Sequence, residues 1–180
     1  MGQKLMATFN DYKLLNYYYC NHTCTVKKTD CEYDGYQDPH DCSKCRCPSG
    51  FVGNKCENLA PSYGYCGPWT YDAKSFPQTM GIWGLSNCYF RIISQNFNKI
   101  KLIIKELFIH GYDHYSYDKC IEGKGLDIKY RESKGPMGIC FCVSPSYVPI
   151  IIDSESHVVV IHYVGTYGMH QVEIEYQELL

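Results

Sequence analysis

At 180 residues the chain has room for a small module plus one medium domain. Its net charge of −2, with Lys and Arg scattered, offers no basic face for nucleic acid. No stretch approaches the roughly 18 apolar residues that a membrane span needs. Twelve cysteines, eight of them between Cys20 and Cys66, point to an oxidising compartment. A segment too small to bury a core is stapled instead, and each staple adds about 2–4 kcal/mol, chiefly by restricting the unfolded chain.

Residues 8–20 read as a helix. Thr8 is placed to cap it, Asp11 follows three residues later as in a capping box, and Phe9, Tyr12, Leu15 and Tyr19 fall on one face. A helix this short is marginal alone. Its aromatic face needs a partner, and the cysteine-rich stretch behind it is too small to be expected to supply one. The segment before the helix, Met1-Gly-Gln-Lys-Leu-Met-Ala-Thr, has no apolar signal-peptide core. A secreted protein needs such a leader, so a missing upstream segment is expected.

Residues 21–57 are loop-rich. Asn21-His-Thr23, between Cys20 and Cys24, is an N-glycosylation sequon. The run Cys42-Ser-Lys-Cys45-Arg-Cys47 has a metal-ligand look, but a zinc site needs a fourth donor at matching spacing. Cysteine density favours disulfides over that reading. Residues 58–65 form a linker.

From Cys66 onward the pattern is β. Strands are expected over 89–94, 100–110, 126–131, 139–143, 148–153, 157–164 and 169–176. Several short strands at this spacing indicate a sandwich. His110 and His114 are four apart, a ligand spacing on a helix, but Gly111 and the surrounding tyrosines favour an exposed loop. Tyr112, Tyr115 and Tyr117 are better candidates for an interaction surface than Tyr89 or Tyr163, which fall in strands. No Ser-His-Asp or Cys-His arrangement is signalled. Cys140 beside Phe141, in an apolar strand, reads as a thiol of raised pKa rather than a nucleophile.

Three consecutive segments resemble one known arrangement. Residues 1–20, with Gly2-Gln3, Thr8-Phe9, Asp11, Asn16, Tyr19 and Cys20, resemble the end of the catalytic domain of astacin-family zinc metalloproteases. Residues 21–57 resemble an EGF-like module, carried by Cys31-Glu-Tyr-Asp-Gly35-Tyr-Gln-Asp-Pro39 and by Cys47-Pro-Ser-Gly-Phe closing on Cys56. Residues 66–180 resemble a CUB domain, carried by Cys66-Gly67, Trp83, Cys88-Tyr-Phe-Arg-Ile, Cys120, Gly125-Leu-Asp-Ile-Lys129, Gly138, Phe141-Cys142 and Val148-Pro-Ile-Ile. The fold class implied is mainly β: a short N-terminal helix, a small disulfide-rich EGF-like module, then a CUB-type jelly-roll β-sandwich.

The same resemblance implies the pairings Cys24–Cys42, Cys31–Cys45, Cys47–Cys56, Cys66–Cys88 and Cys120–Cys142. It leaves Cys20 and Cys140 as unassigned thiols; in the family the cysteine at Cys20 bonds to one near the start of the catalytic domain. The family binds zinc through H-E-x-x-H-x-x-G-x-x-H, with the Glu as general base. That motif is not in this sequence, so no catalytic residue, no metal ligand and no cofactor is expected in this chain, and no peptidase activity of its own. Lys124 stands where calcium-binding CUB domains carry an Asp, and Asn21-His-Thr23 supplies no acidic cluster for a calcium-binding EGF module.

Functionally, the resemblance implies the non-catalytic interaction modules of a secreted astacin-like zinc metalloendopeptidase, truncated or inactive. The partners implied are extracellular proteins or matrix. The alternative is a free-standing secreted EGF–CUB binding protein. With Cys20 unpaired, dimers or mixed disulfides are expected if this exact chain is secreted.

Overall fold

The computed structural model describes residues 6–25, 28–109 and 120–179. They form two units: residues 1–60 with Ser133–Met137, and residues 61–132 with 138–180.

The first unit holds helix α1 (Phe9–Tyr19) and strands β1 (Tyr36–Asp38), β2 (Asp41–Arg46), β3 (Phe51–Val52) and β4 (Asn58–Leu59). The β1–β2 and β3–β4 pairs are both antiparallel. Its few buried side chains include Phe51 and Cys56, and the Tyr33 ring stacks on Phe51 with centroids 4.2 Å apart. With so little buried apolar area, disulfides must carry the fold: Cys24–Cys42, Cys31–Cys45 and Cys47–Cys56 are bonded. Thr8 caps α1 and forms a reciprocal capping box with Asp11, whose carboxyl is held below its usual pKa by the Thr8 backbone and hydroxyl.

The second unit is a two-sheet sandwich of jelly-roll type. Its strands are β5 (Thr70–Ala73), β6 (Gln78–Trp83), β7 (Ser86–Ser94), β8 (Lys99–Phe108), β9 (Gly125–Lys129), β10 (Ile139–Phe141), β11 (Ile150–Asp153), β12 (Val158–Gly165) and β13 (Gln171–Leu179). One sheet runs β10-β9-β12-β7-β5 and the other β11-β8-β13-β6. β7 and β13 bury every second residue, as a strand with one face on a core must. Phe90, Ile92, Leu126, Ile128, Ile161 and Tyr163 from the first sheet share one core with Met80, Ile82, Leu102, Ile104, Ile174 and Tyr176 from the second. In β8 the inward phase slips between Ile104 and Leu107, where the pairing with β13 has a bulge at Glu173/Ile174; the extra residue keeps both side chains facing in. Cys66–Cys88 ties the start of this unit to β7.

The strands expected from sequence are present with shifted ends: β9, β10 and β11 are shorter than expected, whereas β7 begins earlier and β13 runs further. β5 and β6 were not anticipated: Thr70–Ala73 is short and carries Asp72, and Gln78–Trp83 contains Gly81, both weak strand signals. β5 pairs parallel to β7, a neighbour that only the fold supplies. Residues 58–65 are divided: Asn58 and Leu59 pair with β3, whereas Ser62 and Tyr63 bond to Tyr89 and Asn87 of β7.

Candidate functional site

In the first unit, α1 and the β1–β2 hairpin border a groove of about 590 Å³. Phe9, Tyr12, Leu15 and Tyr19 line it from the helix, and Tyr36 and Pro39 from the hairpin, with Cys20 and Arg46 beside them. The cysteine module thus supplies part of the partner that the helix face was expected to lack. Phe9 packs on Tyr36 with ring centroids 5.4 Å apart, and the Lys13 ammonium donates to the Asp34 carbonyl at 2.8 Å. The cover is partial: Tyr12, Leu15 and Tyr19 remain exposed and no helix residue is buried. Cys20 caps the helix C-terminus and is not disulfide-bonded. Asn21 is exposed, and the Thr23 hydroxyl of its sequon donates to the Cys20 carbonyl at 2.7 Å. Asp34 accepts from the Lys134 and Gly135 amides. Burial works to raise its pKa, but these amides and the Ser133 hydroxyl hold it below the ordinary value.

In the second unit, polar side chains form a row on the outward face of the five-stranded sheet. Cys140 of β10 stands opposite Asp127 of β9, Asp127 opposite His162 of β12, and His162 opposite Tyr89 of β7. The row is largely covered: Asp127 is 2% and His162 8% exposed. Burial pushes Asp127 up to about 6, reinforced by Glu122 and opposed by Lys129 and the Gly138 amide. Neither carboxylate oxygen receives a hydrogen bond of full geometry. Burial drives His162 the other way, to about 4, and its Nε2 lies 2.8 Å from Asn87 Oδ1. The buried Lys129 ammonium pairs with Glu122 at 2.9 Å. The sequence points to Cys140, Tyr89 and the Gly125–Lys129 segment for other reasons, but not to a buried row that joins Asp127 to His162. Polar residues at every second position of an apolar strand read as solvent-facing, and only the covering of that face reveals otherwise.

Beside this row, Cys120 approaches both Cys140 and Cys142. Its Cα lies 6.0 Å from that of Cys140 and 5.4 Å from that of Cys142. Cys140 is therefore not apart from the Cys120–Cys142 pair but within the same cluster. Gly125, at φ +65, brings the start of β9 against β10; a Cβ there would collide with the Phe141 carbonyl oxygen.

At one end of the four-stranded sheet, Trp83, Gln171 and Phe108 stand in one cross-strand row. Trp83 and Phe108 are exposed there, as are Leu85 and Met169 at the adjoining turns. His110, His114, Tyr112, Tyr115 and Tyr117 lie outside the described residues. Tyr89 and Tyr163 lie in β7 and β12.

Among the described residues, the one grouping of three potential donors close enough to share an ion is Cys120, Cys140 and Cys142. Three clustered thiols do not fit the three-histidine set of a catalytic zinc peptidase, and no peptidase step is derived from this chain. The cysteines of the Cys42–Cys47 run are each bonded elsewhere. Among the described residues no helix is long and apolar enough to cross a membrane.

No family model matches the sequence. Relatives are nonetheless clear. Zinc metalloproteinase nas-34 of Caenorhabditis elegans is 32% identical over 169 residues, 93% of this chain and 26% of that protein. Zinc metalloproteinase nas-37 of the same organism is 30% identical over 92% of this chain and 20% of that protein. Zinc metalloproteinase dpy-31 of Haemonchus contortus is 46% identical over 68 residues, 37% of this chain. The chain is homologous to astacin-family zinc metalloproteinases along nearly its whole length. It spans about a quarter or less of the length of the relatives it matches. Among solved structures, the CUB1-EGF-CUB2 domain of human MASP-1/3 aligns with 83% of this chain and 55% of that one, at 16% identity and a TM-score of 0.45.

Proposed function

We propose that this chain is the accessory, interaction-bearing region of a secreted astacin-family zinc metalloendopeptidase. In this reading residues 1–20 end the catalytic domain, 21–57 are an EGF-like module, 58–65 a linker and 66–180 a CUB domain. The modules hold the peptidase against extracellular proteins or matrix, and Asn21 carries a glycan. The observation that carries the reading is the match to nas-34, which runs through 93% of this chain yet takes in only 26% of that protein. The half-covered aromatic face of α1 and the disulfide ladder behind it agree with a helix seated between a module and a further domain.

Sequencing the 5′ end of the transcript tests the reading. An in-frame extension encoding H-E-x-x-H-x-x-G-x-x-H is the expected result. A signal peptide joined directly to the helix would overturn it in favour of a free-standing binding protein.

A further inference from the structure

The sulfurs of Cys120, Cys140 and Cys142 all lie within 4.8 Å of one another. Cys140 lies in β10 and Cys142 one residue beyond the end of that strand. The Cys140 and Cys142 sulfurs are 3.9 Å apart. All three lie within 4.0 Å of the Lys124 carbonyl oxygen. Both Cα separations from Cys120, 6.0 Å and 5.4 Å, fall in the range that a disulfide spans. A sulfur forms only one disulfide at a time, so one thiol of the three is always left over, in contact with the bridge.

We propose that this cluster is a thiol–disulfide exchange site. Cys120 is the shared sulfur, and Cys140 and Cys142 alternate as its partner. The thiolate of Cys140 attacks Sγ of Cys120; the Cys120–Cys142 bond breaks, the Cys120–Cys140 bond forms, and Cys142 leaves as a thiolate that takes up a proton. The electron count is unchanged, so the step needs neither oxidant nor reductant. Only the thiolate form of the leftover sulfur attacks, and its fixed position beside the bridge replaces a bimolecular encounter with an intramolecular one. All three residues are partly exposed, and β10 is the edge strand of its sheet. The leftover thiol is therefore also a modification site for small extracellular disulfides. Its thiolate attacks one sulfur of such a molecule, forms a mixed disulfide and releases the other half as a thiol.

The test is non-reducing peptide mapping of the full chain after acid quench and N-ethylmaleimide capture. Tandem fragmentation at Phe141 separates Cys140 from Cys142. The expected result is both bridged species, Cys120–Cys140 and Cys120–Cys142, with the maleimide divided between the two remaining positions. Incubation with oxidised glutathione should then add one glutathionyl group to the cluster. Cys140→Ser should leave only the Cys120–Cys142 species and take up no glutathione at the cluster. Finding one bridge alone in the unmodified chain, with the third cysteine inert to both reagents, would overturn the proposal. So would a third cysteine bonded to Cys20, or stoichiometric zinc held by three reduced thiols. The mapping of the unmodified chain decides the question even if the variant fails to fold.

Discussion

The His162 ring lies flat on the Tyr89 ring, with centroids 3.9 Å apart and planes within 7°. The stack covers an imidazole that burial holds neutral, and on the other side of His162 in register stands Asp127, a carboxyl that burial holds protonated to higher pH than usual. Glu122 and Lys129 are the other charged groups acting on the pair.

These two groups oppose each other in the pH dependence of stability. Asp127 titrates near 6 when folded and near 3.8 when unfolded. The folded state holds more protons in that window, so stability falls as pH rises through it, by about 3 kcal/mol in all. His162 titrates near 4 when folded and 6.5 when unfolded. The unfolded state holds more protons there, so stability rises with pH by about 3 kcal/mol over nearly the same span. The pair should cancel between about pH 4 and 6. Asp127→Asn should unmask the histidine: urea midpoints of the variant, relative to the unsubstituted chain, should climb from pH 4.5 to 6.5. A His162→Gln variant should show the opposite slope. Parallel curves for all three proteins would refute the pairing.

Gly35 has no room for a side chain. A Cβ there would sit 2.7 Å from Cys56 Sγ and 3.1 Å from Cys31 Cβ, wedged between two disulfides. Gly35→Ala should therefore cost about 1–3 kcal/mol by overpacking. Because the first unit depends on its bridges, the loss should appear as scrambled disulfides on non-reducing peptide maps, with Cys66–Cys88 intact. A native bridge pattern at full yield would show that the module yields more than packing allows.

Tyr163 is wholly buried in the sandwich core and its hydroxyl donates to the Gly84 carbonyl at 2.9 Å. Tyr163→Phe removes that bond and keeps the ring. Stability of the second unit should drop by about 0.5–1.5 kcal/mol, read from chemical denaturation. An unchanged midpoint would mean that water satisfies the carbonyl equally well.

Cys20 is expected to take a maleimide label in the folded protein and to form a disulfide-linked dimer on storage in air. Cys20→Ser should abolish the dimer on a non-reducing gel without altering the helix signal in circular dichroism. A clean monomer from the unsubstituted chain, with no reactive thiol at Cys20, would sink this expectation.

Local chemistry was legible from the residues alone. Thr8 and Asp11 announced the start of α1 because capping is decided within one turn. The strand expected over 169–176 was legible because a strand has a period of two, and Val172, Ile174 and Tyr176 are the residues of β13 that it buries there. Cysteine density announced a stapled module because so short a segment has too little apolar area to hold itself together. Relations between distant elements were decided only by tertiary structure. The weak strand Thr70–Ala73 exists because β7 offers it an edge. Asp127 and His162 become buried, shifted groups only because the outward face of their sheet is covered. Cys140 and Cys142 are neighbours along the chain, but only the fold brings the distant Cys120 within 4.8 Å of both sulfurs. Sequence spacing fixes which face of its own strand a residue occupies; what stands against that face is set by how the sheets pack.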